Sequence, residues 1–560
     1  MIQLEARRCP RLLAALAMLG ALLVLAGCAN IPTGGGVSKL TIDSNGGDAA
    51  LLSLPERPVK GASQQQILEG FIKAGRNSQA NYAIAREYLS DKIRSTWNPN
   101  AGALVSTSPI DSTVVGANDL QLAVTVSAAV GVDGQYSIAA VARTQLLQFH
   151  FAKDPKGEWR ISAAPDGTIL TPNRFGTIFH PYDLFFFDPS FQYLVPDRRW
   201  YADSTQVATR VVKALLLGPP DWLGGGVVVS AFPNGTELTG APVIAPGSAT
   251  VDLTSQVSSE SAIGKRRMTQ QLTQSLGSLG SPSVSITVGG FPVTTSDGPD
   301  PDRFESVLTD PVGFEKGVFG TLVGGSVRPL PGLGLAIDKL APVGAAVGRM
   351  GDQVATLSAG GVSIVRGTAS PVLLDSRAGL AVPSMDPEGF VWSVPTARPG
   401  AIIAYDTANK PHPVAFGLEG QVASMSVSRD GTRLLIAAQT SSGPKLLVAG
   451  IIRDKDLVPT ALGQPIFLAI GDAALLGATW VSSSTIAALT QDDASSAVTT
   501  YDLGGMKESL GSVDGGVAIV GGNRNDGIRV LDSSGSVFGP SGSFGWQDTG
   551  LNASFLASQQ

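Results

Sequence analysis

Apolar and polar positions along the chain fall into three successive textures. In the first, Ser63-Gln64-Gln65-Gln66 has the form of a capping box, and Ile67, Leu68, Phe71 and Ile72 behind it share one helix face that stops at Gly75. A second helix is predicted around Tyr82, Ala85, Tyr88 and Leu89. Beyond Trp97 the period drops to two: Leu122, Val124, Val126, Ala128 and Val130 alternate as a strand, and Leu147, Phe149 and Phe151 alternate against Gln148 and His150. Two helices and a curved antiparallel sheet make an α+β domain over 62–173. Cones of this kind can hold small ligands, but no convergent polar cluster is legible in the segment, so a structural role is the default.

The second texture, over 174–295, opens with Leu184-Phe185-Phe186-Phe187-Asp188-Pro189 and Tyr193 to Tyr201, which pattern as paired strands. Ser204 is placed to cap a helix whose stripe is Val207, Val211 and Leu215, and Gly218-Pro219-Pro220 ends it. A strand from Ala249 to Leu253, a helix carrying Met268, Leu272, Leu276 and Leu279, and the strand Val284 to Val288 complete a second α+β domain. Lys265-Arg266-Arg267 near that helix start is a possible contact patch, though such a triplet is more often a solvated face.

Residues 296–330 show turn chemistry without a stripe, as in Ser296-Asp297-Gly298-Pro299-Asp300-Pro301-Asp302, and are expected to be a linker. From 331 to 557 short strands recur between Gly, Ser and Asp turns. Ser384-Met385-Asp386-Pro387-Glu388-Gly389 and Ser424-Met425-Ser426-Val427-Ser428-Arg429-Asp430-Gly431 share a logic of serine, acidic turn and glycine before an apolar strand, and their aspartates lie 44 apart. That is a blade-like period, echoed more loosely at Ala478-Thr479-Trp480-Val481 and Val530 to Gly535, and it predicts a β-propeller of about five blades, with a β-sandwich as the alternative. The fold class is therefore multidomain, two α+β domains followed by an all-β domain.

Composition sharpens this picture at the amino terminus. Arg7, Arg8 and Arg11 precede an apolar run from Leu12 that closes at Leu25-Ala26-Gly27-Cys28. A basic start, a short apolar core and a small-residue cleavage site ending in cysteine describe a lipoprotein export signal. Residues 1–27 are then expected to be removed and Cys28 to carry the lipid, with at least two acyl chains, since one chain holds a membrane only marginally. Residues 28–61, rich in Gly, Ser and Pro, are expected to be a flexible tether. Cys9 and Cys28 are the two cysteines of the 560 residues, so the mature chain has no disulfide, thiolate nucleophile or cysteine metal site to offer. The net charge of −6 without a concentrated basic face argues against nucleic acid as partner.

Candidate chemistry is sparse. The three histidines, His150, His180 and His412, are spread over different domains, which argues against a zinc centre, and no cofactor is expected. No Gly-x-Ser-x-Gly elbow, phosphate-binding loop or His-Glu-x-x-His helix occurs. Asp386, Glu388 and Asp430 are the nearest to candidate acids, but in blade repeats such residues usually serve the turns. The expectation is a non-enzyme with no catalytic residues and no metal site.

The order of lipobox, two α+β domains and degenerate propeller resembles the LpqB lipoproteins of actinobacteria. The most specific stretches are Leu184 to Pro189, Val195-Pro196-Asp197-Arg198-Arg199-Trp200-Tyr201 and Leu216-Leu217-Gly218-Pro219, which look like a GerMN domain; the N-terminal unit is similar to cones of the nuclear-transport-factor type. The resemblance carries over one functional position, Cys28. It implies a protein anchored to the outer face of the cell membrane, acting as accessory to the Mtr sensor histidine kinase through its extracellular region, in envelope homeostasis, division or sporulation. The rival expectation is an envelope hydrolase using Asp386 or Asp430, or a lipoprotein binding a cell-wall polysaccharide; a solute-binding lipoprotein ranks last.

Overall fold

The computed structural model describes residues 55–559 apart from 108–110, 282, 302–305, 493–494 and 543–544. Cys28 and the lipobox lie outside the described residues. The first helix runs Gln64–Ala74, and both halves of its capping box form: Ser63 Oγ accepts from the Gln66 amide, and the Gln66 side chain accepts from the Ser63 amide. The second helix, Gln79–Glu87, ends before Leu89, which bridges instead to Ile161. Both helices bury their apolar face against a six-stranded sheet. Its long strands Asp119–Val130 and Tyr136–Lys153 put Leu120, Leu122, Val124, Phe149 and Phe151 into one core with Phe71 and Trp97.

In the second domain Phe179–Phe187 and Leu194–Ala202 form a hairpin. Leu184 and Phe186 on one face join Val211, Leu215, Met268, Leu272, Val251 and Ile286 in a single core. A four-stranded sheet, ordered Phe291–Pro292, Val284–Val288, Ser248–Asp252, Val243–Ala245, closes that core. The first of its helices starts at Val207 rather than under a Ser204 cap; Ser204 instead heads the preceding turn, its Oγ accepting from the Gln206 amide at 3.4 Å.

The all-β region is a propeller with six blades among the described residues, each four-stranded except blade 4, whose third strand pairs with both Pro459–Leu462 and Ile466–Leu468. Blade 1 takes Val312–Glu315, Val318–Val323 and Ser326–Pro329 from the front of the domain and its innermost strand, Phe555–Gln559, from the back. The ring is thus closed by strands far apart in the chain. Blades 2 to 6 follow in order, with inner strands Gly344–Val347, Ser384–Met385, Gln421–Val427, Ala474–Trp480 and Gly516–Val520. The linker expected over 296–330 is corrected here. Its second half is blade 1, hidden because glycines break its pattern; at Gly320 a Cβ would stand 2.0 Å from the Arg328 carbonyl oxygen, so the close pairing of these strands requires glycine.

The repeated serine has a structural use. Ser384 Oγ accepts from the Val427 amide at 2.9 Å, Ser424 Oγ from Ala478 at 2.9 Å and Thr479 Oγ1 from Gly521 at 3.0 Å. The inner strands of blades 3, 4 and 5 therefore each hand one hydroxyl to the next blade, satisfying an amide that the blade's own ladder leaves open.

Candidate functional site

The acids picked from the blade repeat are turn residues, already engaged. Asp386 accepts from the Phe390 amide at 2.8 Å, Trp392 Nε1 at 3.0 Å and Arg453 Nη2 at 2.7 Å. Asp430 accepts from the Ser428 hydroxyl, the Thr432 amide and hydroxyl, and Arg433. Burial works against the Asp430 charge, but Arg433 and the two hydroxyls outweigh it and hold the carboxyl below its usual range. Each histidine sits beside an aspartate: His150 by Asp119, His180 by Asp203 at 3.3 Å and His412 by Asp406 at 2.9 Å. No group of three or more metal-ligating side chains occurs among the described residues. Of the basic triplet, Arg266 donates to the Asp297 carbonyl at 2.9 Å and Arg267 stacks on Phe191 with its guanidinium carbon 3.7 Å from the ring centroid.

Arg453, unremarked in the sequence, gathers an acidic centre. It lies 3.2 Å from Glu388 Oε2 as well as 2.7 Å from Asp386, and the charge of Asp188 in the second domain further favours its cation. Burial, then the neighbouring Asp386, push the Glu388 carboxyl up to about 8, so it holds a proton at neutral pH. Asp188 itself caps the loop 188–193, accepting from the amides of Ser190, Gln192 and Tyr193. From that loop Tyr193 takes a hydrogen bond and a ring contact from Arg349 in blade 2. The loops joining first and second strands of blades 2 and 3 thus face the second domain.

A cleft of about 640 Å³ opens where all three domains meet. The second-domain strand Leu194–Ala202 supplies its middle, and here three charged residues interrupt an otherwise apolar run. Arg198 is gripped by Asp183 at 2.8 Å on its own hairpin and by Asp502 of blade 5 at 2.8 Å. Arg199 pairs with Asp197 at 2.7 Å and with Asp133 of the first domain at 3.2 Å. Trp200 Nε1 donates to the Gly504 carbonyl at 2.7 Å and Tyr201 Oη to the Asp133 carbonyl at 2.9 Å. Burial pushes Asp197 up to about 6 despite Arg199. Tyr136, Ile138, Trp222, Ile466, Phe467 and Tyr501 give the walls an apolar character. A smaller cavity of about 220 Å³ lies inside the first domain between Phe71, Trp97, Leu147 and Phe149. Thr168 Oγ1 there is buried without a partner in the described structure.

Sequence reasoning found none of Asp188, Arg198, Arg453 or Asp502 as a junction residue. The available signal was Asp197-Arg198-Arg199: charges inside a strand whose neighbours are all buried must find partners, and these include Asp133 and Asp502 in other domains.

The same three-part division appears in comparison with known proteins. The family described as "Lipoprotein LpqB, N-terminal domain" matches residues 57–176, and "Lipoprotein LpqB beta-propeller domain" matches 317–551. The chain belongs to the LpqB lipoproteins. Between its two LpqB parts, residues 183–294 match the family described as "Sporulation and spore germination". Among LpqB relatives, the protein of Thermobifida fusca is 30% identical over 236 residues, 39% of this chain and 37% of that protein, so the chain spans less than half of that relative. The LpqB of Streptomyces coelicolor is 26% identical over 510 residues, 80% of each chain. The solved tandem GerMN domains of GerM from Bacillus subtilis share 19% identity over 23% of this chain and 48% of theirs, with a TM-score of 0.18. No described helix is long and apolar enough to cross a membrane.

Proposed function

We propose that this LpqB chain is a non-enzymatic, lipid-anchored accessory protein. In this reading Cys28 carries the acyl chains, residues 28–61 tether the folded domains to the outer face of the cell membrane, and the domains act by touching a membrane protein. The partner is the extracytoplasmic region of a sensor histidine kinase of the Mtr type. The observation that carries the reading is the state of Asp386 and Asp430: both carboxylates are buried and bonded on all sides, so neither is free to meet a substrate. A role by contact fits a body whose charged residues are spent on joining its own parts. Confinement of both partners to one membrane raises their effective concentration, so a weak contact suffices.

The test is Cys28→Ser in a background that still exports the protein. Kinase output, read from a reporter of its response regulator, is expected to change while the purified variant melts as the parent does. Unaltered output from the unanchored protein would overturn the proposal.

A further inference from the structure

One wall of the three-domain cleft is a bare strand edge. Ile466–Leu468 hydrogen-bonds to the third strand of blade 4 along one side, and its other side pairs with nothing among the described residues. Exposed edges in natural proteins are normally blunted with charge, twist or cover, because unpaired amides and carbonyls recruit any extended chain. Here Ile466 to Ile470 are five apolar residues in succession. Ile466 and Leu468 lean on the propeller core, while Phe467, on the opposite face, is 58% exposed. Across the cleft stands Ile138, also exposed.

The electrostatics of the cleft select among possible occupants. Asp133, Asp197 and Asp502 line it, and the one lining guanidinium, Arg198, is already held between Asp183 and Asp502. Lys507 sits at one end of the edge with Nζ 3.3 Å from the Ala469 carbonyl oxygen. With Asp183, Arg199 and Lys507 included, four carboxylates face three cations. An acidic, partly apolar cleft of this size, with an open strand edge on one wall, suits neither an anion nor a purely apolar molecule.

We propose that an extended polypeptide segment, with basic side chains flanking an aliphatic one, docks in this cleft as an added strand on Ile466–Leu468. Main-chain bonds to the edge hold it, Phe467 and Ile138 cover its aliphatic side chain, and Asp133 and Asp502, each partly exposed beside its guanidinium, face its cations. The inference is independent of which membrane protein the domains touch.

The test uses the full-length protein in detergent micelles and two blocked decapeptides, one alternating Lys and Val, the other Glu and Val. The Lys–Val peptide is expected to slow amide exchange over Ile466–Ala469 by about tenfold or more, and to weaken as salt screens the charges. The Glu–Val peptide is expected to do neither. Phe467→Lys should abolish the effect without altering the melting temperature, and Val372→Lys, on the outer strand of blade 2, should preserve it. Equal protection by both peptides, protection confined to another edge, undiminished binding to Phe467→Lys, or no binding of Lys–Val at millimolar concentration would each overturn the proposal.

Discussion

At the scale of single residues, the chain spends its charges inward. Asp386, Asp430 and Asp188 each close a turn by accepting backbone amides, and Arg453 then collects Asp386, Glu388 and the field of Asp188. One guanidinium cannot neutralise two buried carboxylates and the part-buried Glu388 together, so Glu388 keeps its proton. The Glu388 carboxyl lies at 4.5 in the unfolded chain and at about 8 in the folded one, so between those values the folded state binds a proton that the unfolded state lacks. Stability due to this group is complete below 4.5 and is lost as pH rises to about 8, with a slope of up to about 1.4 kcal/mol per pH unit. Glu388→Gln should flatten the dependence of urea midpoint on pH across that window and leave the protein more stable than the parent above it. An unchanged slope would place the proton elsewhere. The blade serines make a second residue-scale case. Ser424→Ala removes a hydroxyl that accepts from Ala478 and donates to its carbonyl, and should cost about 1–3 kcal/mol in denaturant unfolding.

At the scale of elements, local pattern was a good guide where an element makes its contacts with near neighbours. The capping box at Ser63, the stripe Met268, Leu272 and Leu276, and the alternation along Leu120 to Val130 each announce an element and its buried face. The aspartate spacing of 44 found blades 3 and 4, because turn, serine and strand repeat together there. Blade 1 stayed hidden for a physical reason: its strands Val312–Glu315 and Val318–Val323 are short and each is interrupted by a glycine, and the strand that ties Val312–Glu315 into the ring is Phe555–Gln559, more than two hundred residues away. The candidate cleft was illegible in the same way, since no local rule links Arg198 to Asp502. The closing strand therefore carries a prediction. Phe555 stacks on Phe314 with ring centroids 5.6 Å apart and also touches Phe319, so Phe555→Ala removes the apolar clasp of the ring. A loss of about 3–5 kcal/mol is expected, measured by denaturant unfolding, together with faster exchange over 312–323. A loss no greater than that of an exposed residue would mean that the ring is held shut by its neighbours alone.

At the scale of the whole molecule, the question is whether three domains over 55–559 behave as beads on a string or as one body. Inter-domain contacts within a chain usually permit relative motion unless they are large and well bonded. Here the second-domain hairpin is the common element. Its Arg199 and Tyr201 reach Asp133 in the first domain, its Arg198 and Trp200 reach Asp502 and Gly504 in blade 5, and the loop beyond Phe187 reaches Arg349 in blade 2. Trp222 packs simultaneously against the cores of the second domain and of blades 4 and 5. Partners drawn from every domain onto one hairpin predict a single cooperative melting transition. Arg198→Ala tests this directly. It leaves Asp183 and Asp502 without their shared cation and frees blade 5 from the hairpin, at a cost of about 1–3 kcal/mol for the lost charge-assisted bonds. Because that cost falls on the junction and not inside either domain core, calorimetry should show the one transition dividing in two, the propeller melting apart from the two α+β domains. If the variant instead melts as a single transition merely shifted downward, the remaining contacts at Trp200, Trp222 and Arg349 are by themselves enough to make the three domains one cooperative unit.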